Sequence, residues 1–193
     1  MTSMTSSDQP TVSSSAADIS AAVTPPPGLV IGLEQPHHAA IIESLNDEAF
    51  GPDRQKKTVY RFRDGVSHLP ELALVAEDEA GAFRGTLRFW PVMIGQTPAL
   101  LLGPLTVVGG LRKTGVGTRL MWAGLERAKA LGHRIVILVG DEPYYSRFGF
   151  RRALAEPLSL PGPVDLARFL ALELVPGAMD GVTGMVEKWP SEL

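Results

Sequence analysis

Leu101-Leu102-Gly103-Pro104-Leu105-Thr106-Val107-Val108, followed by Arg112-Lys113-Thr114-Gly115-Val116-Gly117, decides how this chain folds. The first run is rich in Leu and Val and too short for a useful helix, so it reads as a strand. After the bend, Gly117, Leu120, Met121, Gly124, Leu125, Ala128 and Leu131 share one helical face, with Arg119, Glu126 and Lys129 opposite. That pattern predicts an amphipathic helix. A second apolar run, Ile135-Val136-Ile137-Leu138-Val139, follows Gly132 with no room for a reversal. It returns parallel to the first strand through a right-handed crossover.

The corner of this strand-helix-strand unit suits an anion. The first amides of a helix lack internal partners and point at whatever lies before them. Gly115 and Gly117 allow close approach to the main chain, and Arg112 and Lys113 add positive charge. A phosphate or pyrophosphate is the natural guest, although the bend by itself serves equally well as a plain connection.

Composition narrows the function classes. With 193 residues, 45% hydrophobic and 20% charged, the chain has the make-up of a soluble globular protein, and no period repeats. A net charge of −3 carries no electrostatic footprint for nucleic acid. Zero cysteines exclude disulfides, thiolate metal sites and a cysteine nucleophile. His37, His38, His68 and His133 lack zinc-ligand spacing, so no metal is expected. No apolar run approaches the ~18 residues that span a bilayer. The first basic side chain is Arg54, which fits neither a signal peptide nor a transit segment, and the expected location is cytoplasmic.

In chain order, residues 1–28 are Ser, Thr, Ala and Pro with little charge, and a disordered tail is expected. Residues 29–193 are expected to form one domain around the motif core 101–150. Leu29 to Leu33 reads as a strand and Pro36 to Phe50 as a helix, with His37 and His38 solvated in its first turn. A polar helix is expected from Lys56 to Phe62. Glu71 to Glu77 and Phe83 to Ile94 read as strands joined by Asp78-Glu79-Ala80-Gly81, with a bulge at Phe89-Trp90-Pro91-Val92. Asp141 or Glu142 is placed to cap a short helix that ends at Gly149. Two adjacent tyrosines, Tyr144 and Tyr145, cannot both enter the core from one helix, so one faces a cleft. Phe169 to Val175 is the last expected strand, and Pro176 to Leu193 reads as irregular.

Two signatures in this order resemble the GNAT superfamily of N-acetyltransferases: Arg112-Lys113-Thr114-Gly115-Val116-Gly117 and Tyr145-Ser146-Arg147-Phe148-Gly149-Phe150. The resemblance runs from about Leu29 to Val175 and is strongest to bacterial N-acetyltransferases of unassigned substrate. It implies an α/β (α+β) fold with a mixed, mostly antiparallel sheet, flanking helices and a splayed parallel strand pair. Acetyl-CoA would lie in that splay as co-substrate, without a metal. Main-chain groups of Leu105 and Val107 would bind the pantetheine arm, and the amides from Lys113 through Thr114, Gly115, Val116 and Gly117 to Thr118 the pyrophosphate. Arg112 or Lys113 would meet the 3′-phosphate.

The resemblance further implies direct transfer to a primary amine of a small molecule or peptide in a ternary complex, consistent with the absence of cysteine. A main-chain donor near Val107 or Val108 would stabilise the oxyanion. Tyr145 matches the general acid that protonates the departing thiolate, the alternative being a packed aromatic, and Tyr144 reads as packing. Asp141 is the candidate base or amine-positioning group, with helix capping as its alternative. Two other classes compete: a non-catalytic acyl-CoA sensor or scaffold of the same fold, and a nucleotide-dependent oxidoreductase. The latter is disfavoured because Leu120 stands where a third glycine is needed. The acceptor and the oligomeric state, a homodimer included, stay open, and neither nucleic acid nor membrane is expected as a partner.

Overall fold

The computed structural model describes residues 28–111 and 113–190. The expected tail, apart from Gly28, and Arg112 at the bend lie outside the described residues. The elements are β1 (Val30–Leu33), α1 (Ala39–Phe50), β2 (Leu74–Glu77), β3 (Phe83–Ile94), β4 (Thr97–Val107), α2 (Val116–Ala130) and β5 (Ile135–Val139). They continue with α3 (Glu142–Tyr145), α4 (Arg152–Ala155), β6 (Leu158–Ser159), β7 (Phe169–Glu173) and β8 (Gly184–Lys188).

The strands form a mixed sheet of order β1-β2-β3-β4-β5-β7, with β8 added to the far end of β3 and β6 beside β8. β4 and β5 are parallel, β6 pairs parallel with β8, and the other pairings are antiparallel. Both faces are covered, which is why β4 and β5 read as unbroken apolar runs. Leu100, Leu102, Val136 and Leu138 face α2, where they meet Leu120, Met121 and Leu125. Ala99, Leu101, Ile135 and Ile137 face the opposite core with Phe62, Phe169 and Val186. Leu131 falls one residue past α2 and is half exposed, so the apolar stripe ends a turn earlier than its spacing suggests.

Several expectations are corrected. The segment expected as a helix over 56–62 is two tight single-turn pieces, Pro52–Lys56 and Thr58–Phe62, which break at Lys57 in extended backbone. His38 is buried, with Nδ1 accepting from the Gln35 amide at 3.0 Å and Nε2 3.3 Å from Glu77 Oε1. The register break in β3 lies at Arg88 opposite Gly103 and Pro104, while Pro91 pairs with Leu100. Phe89 turns its carbonyl away from β4, to the Leu69 amide, and Pro91 shares that side. The proline's missing donor therefore falls between the start of β2, where Leu74 pairs with Leu87, and the end of β8, where Lys188 pairs with Val92. The C-terminal stretch is not irregular throughout, because Gly184–Lys188 is a strand whose Val186 to Lys188 pair with Val92 to Ile94.

Candidate active site

β4 and β5 pair only at Leu100 with Val136 and Leu101 with Ile137. Beyond that point they part, while β5 stays paired to β7 as far as Val139 with Phe169. A cleft of about 1010 Å³ opens in the seam. Val108 donates to Arg84 of β3 at 3.0 Å, so by alternation Leu105 and Val107 turn their main-chain groups toward the seam. The Val108 amide is therefore engaged, and Val107 holds the free donor of the two expected near the oxyanion.

At the far end of β4 the cleft meets the first turn of α2. Gly115 is left-handed at φ 93°, and its carbonyl accepts from Arg119, leaving the amides of Val116, Gly117 and Thr118 without partners in the preceding turn. Lys113 is the one non-glycine with positive φ among the described residues, at 67°. A lysine held there marks a bend fixed by its surroundings. Lys113, Gly115, Gly117 and Thr118 line the cleft. Val116 points into the core, and the Thr114 amide and hydroxyl both go to the Leu111 carbonyl, at 3.3 and 2.6 Å. The cleft's charged walls are Lys56, Lys57, Arg63, Lys113, Arg147 and Arg168 against Asp141 and Asp165, an electropositive lining suited to a polyanion.

Both tyrosines line the cleft. Tyr145 lies so close over Gly140 that a Cβ there would come 2.2 Å from its ring, and it stands edge-on to Tyr144 and Phe150. Burial, Tyr144 and Asp141 push its phenol above the ordinary 10, with Arg168 opposing, so it is protonated at neutral pH. Tyr144, read from sequence as packing, carries its hydroxyl to the α2 corner, 2.9 Å from where a Gly117 Cβ would sit. Arg147 stacks on Tyr144 at 4.6 Å. These two were missed, although Arg147 sits inside the second signature and Tyr144 directly before it. Asp141 is exposed at the rim of the cleft; its carbonyl starts α3, and its carboxylate makes no capping bond.

A second cavity of about 660 Å³ adjoins the cleft, and Tyr60, Arg63 and Pro104 line both. Its wall is an ion-pair network of Arg54 with Glu43 and Asp47, and Arg88 with Glu34 and Glu43. Burial pushes the Glu43 carboxyl up, but hydrogen bonds and charge from Arg54 and Arg88 outweigh it and hold the group below its ordinary value. Asn46 fastens α1 to β4 by accepting from Thr106 at 3.0 Å. Among the described residues, His37, His38 and Glu77 alone bring three ligand atoms within 4.8 Å. Both His38 nitrogens are already hydrogen-bonded, which argues against a metal at that spot.

A parallel pair that separates beside a glycine-opened helix, with a protonated phenol across the gap, defines an acyl-CoA-dependent transferase. Comparison with known proteins agrees: residues 39–150 match the acetyltransferase (GNAT) family. The chain is 33% identical over 162 residues to the uncharacterized N-acetyltransferase YhbS of Escherichia coli K12, covering 82% of this chain and 95% of that one. The crystal structure of YhbS in complex with CoA superposes with a TM-score of 0.72 at 31% identity, over 88% of this chain and 94% of that chain. A Brucella melitensis GNAT acetyltransferase in complex with acetyl-CoA gives 0.62 at 29% identity, over 84% and 96%. The chain belongs to the GNAT family and is an N-acetyltransferase. Among the described residues no helix is long and apolar enough to cross a membrane.

Proposed function

We propose that this protein moves the acetyl group of acetyl-CoA directly to a primary amine of a small molecule or peptide, both substrates being bound together. The observation that carries the reading is the parting of β4 and β5 after Leu101 and Ile137. It leaves main-chain groups of Leu105 and Val107 facing Tyr145 across one cleft that ends at the open amides of α2. The pantetheine arm adds to β4 as a strand would, and the pyrophosphate meets the amides from Val116 to Thr118, helped by Lys113. We assign the residues from 29 to 193 to one catalytic domain, in keeping with the sheet that runs from β1 to β8.

The amine must lose a proton first, which costs about 4 kcal/mol at pH 7 for an ammonium of pKa ~10. Asp141 at the rim takes it, directly or through water. The neutral nitrogen then attacks the thioester carbonyl, and the oxyanion gathers at the Val107 amide. Collapse breaks the carbon–sulfur bond, the nitrogen gives up its second proton, and the sulfur gains one by way of the Tyr145 phenol. The products are an N-acetyl amide and CoA thiol.

A screen of amines with acetyl-CoA, read by free-thiol release and mass spectrometry of the acetylated product, tests this. Initial rates varied over both substrates give intersecting lines for a ternary complex. Parallel lines, or no amine-dependent thiol release from a protein that binds CoA, would overturn it.

A further inference from the structure

Resting on the acetyl-transfer reading above, we propose that the acceptor is a primary amine bearing a carboxylate, and that Arg63 holds this carboxylate in the cavity of about 660 Å³ beside the cleft. The other cations of that cavity are matched. Arg54 has Glu43 at 2.5 Å and Asp47 at 2.7 Å, and Arg88 has Glu34 at 2.7 Å and Glu43 at 3.1 Å. Lys188 has Asp64 at 3.5 Å, and Arg61 donates to the Pro161 carbonyl at 2.6 Å. Arg63 differs: its Nε is shut off from solvent with no hydrogen-bond partner, and it forms no ion pair with a described carboxylate. It is held by the faces of Tyr60 and Trp90, 4.3 and 5.3 Å from the guanidinium carbon. Burial above all, with repulsion from Arg54 and Arg88, lowers its pKa to about 10, against the opposing charge and hydrogen bonding of Tyr60.

A second donor shares the wall. Asn46 is fully buried, its Nδ2 has no partner, and its Oδ1 already accepts from Thr106. Buried donors without acceptors are rare enough to require a reason, and here two belong to residues that line one cavity. The Arg63 Nη groups, not the enclosed Nε, are the donors that meet a carboxylate edge-on.

Position separates this anion from the phosphates of CoA. The Arg63 Nη2 lies 3.7 Å from where a Gly103 Cβ would sit. Gly103 precedes Leu105 on β4, in the middle of the strand and well before the Lys113 bend. A carboxylate held there directs an amine on a short chain into the cleft past Pro104, which both cavities share. The volume is that of a small-molecule site.

The probes are two matched pairs: 4-aminobutyrate with 4-aminobutanamide, and glycylglycine with its amide. Thiol release gives kcat/KM for each. Calorimetric titration of the N-acetylated forms into CoA-saturated protein reads binding without turnover. Charge-assisted hydrogen bonds predict that the carboxylates are preferred by at least about tenfold. In Arg63→Gln that preference collapses toward unity, and Arg63→Lys restores part of it. Equal or better use of the amides by the wild type, or an unchanged preference in Arg63→Gln, overturns the proposal, and the wild-type ratio decides should the variant not fold. If no amine releases thiol yet the N-acetylated carboxylates bind in an Arg63-dependent way, the acetyl-transfer reading falls and the carboxylate site stands. If amines are acetylated without regard to the carboxylate, the reverse holds.

Discussion

The cleft between β4 and β5 and the cavity beside it share Tyr60, Arg63 and Pro104, but they are made of different material. The cleft is built from main chain: strand edges at Leu105 and Val107, helix amides at Val116 to Thr118, and glycines that let a ligand or a ring come close. The cavity is built from side chains: Arg54 and Arg88 tied to Glu34, Glu43 and Asp47 across three elements. A main-chain surface binds what every substrate of the enzyme has in common. A side-chain surface can change by single substitutions, and that is where selectivity for the acceptor is expected to lie.

The comparison breaks most sharply at Tyr145. Tyr145→Phe is expected to lower kcat on the order of 10²- to 10⁴-fold while calorimetry shows CoA still bound. Retained turnover would remove the phenol from the mechanism, and with it the distinction from a mere acyl-CoA sensor. Gly140→Ala comes next. A methyl 2.2 Å from the Tyr145 ring forces the ring to move, and a shift of about 1 Å corresponds to roughly 10²-fold in kcat. A crystal structure of the variant with an unmoved ring would contradict this. In the cavity, Arg54→Met leaves Asp47 without its buried cation and Glu43 with Arg88 alone, and is expected to cost about 2 kcal/mol in urea unfolding.

The smallest effect belongs to Glu43. Its folded pKa lies below the ordinary 4.5, so its contribution to stability is present above that pH and is lost as pH falls through the folded value. The group is half exposed and screened, so Glu43→Gln is expected to flatten the acid limb of the stability curve by about 1 kcal/mol or less. An unchanged slope below pH 4.5 in equilibrium unfolding would show that the network adds no pH-dependent stability.

The same contrast explains what could be read from the chain. β3, α2 and β5 follow from apolar periodicity and lie close to where their patterns put them. The bend is legible because glycine at Gly115 answers a backbone requirement that shows in the residue type itself. β8 was missed because only Val186 of its five residues is buried, and Gly-Met-Val-Glu-Lys carries no two-residue alternation that outweighs its flanking glycine. The cavity was not legible at all. Arg88 and Glu34 stand 54 residues apart, and nothing in either neighbourhood announces the other. The bulge was displaced to Pro91 for a related reason: proline is conspicuous in sequence, whereas the extra residue at Gly103 and Pro104 shows only in the pairing of two strands.

The seam between β4 and β5 leaves hydrogen-bonding edges unpaired in the middle of a sheet instead of at its margin. A bound pantetheine would act as a removable lath: each product release reopens two backbone amides to deuterium from solvent, and each new cofactor closes them. Resistance to heat and protease would then follow the supply of acetyl-CoA, linking the lifetime of the enzyme to the abundance of the compound it consumes.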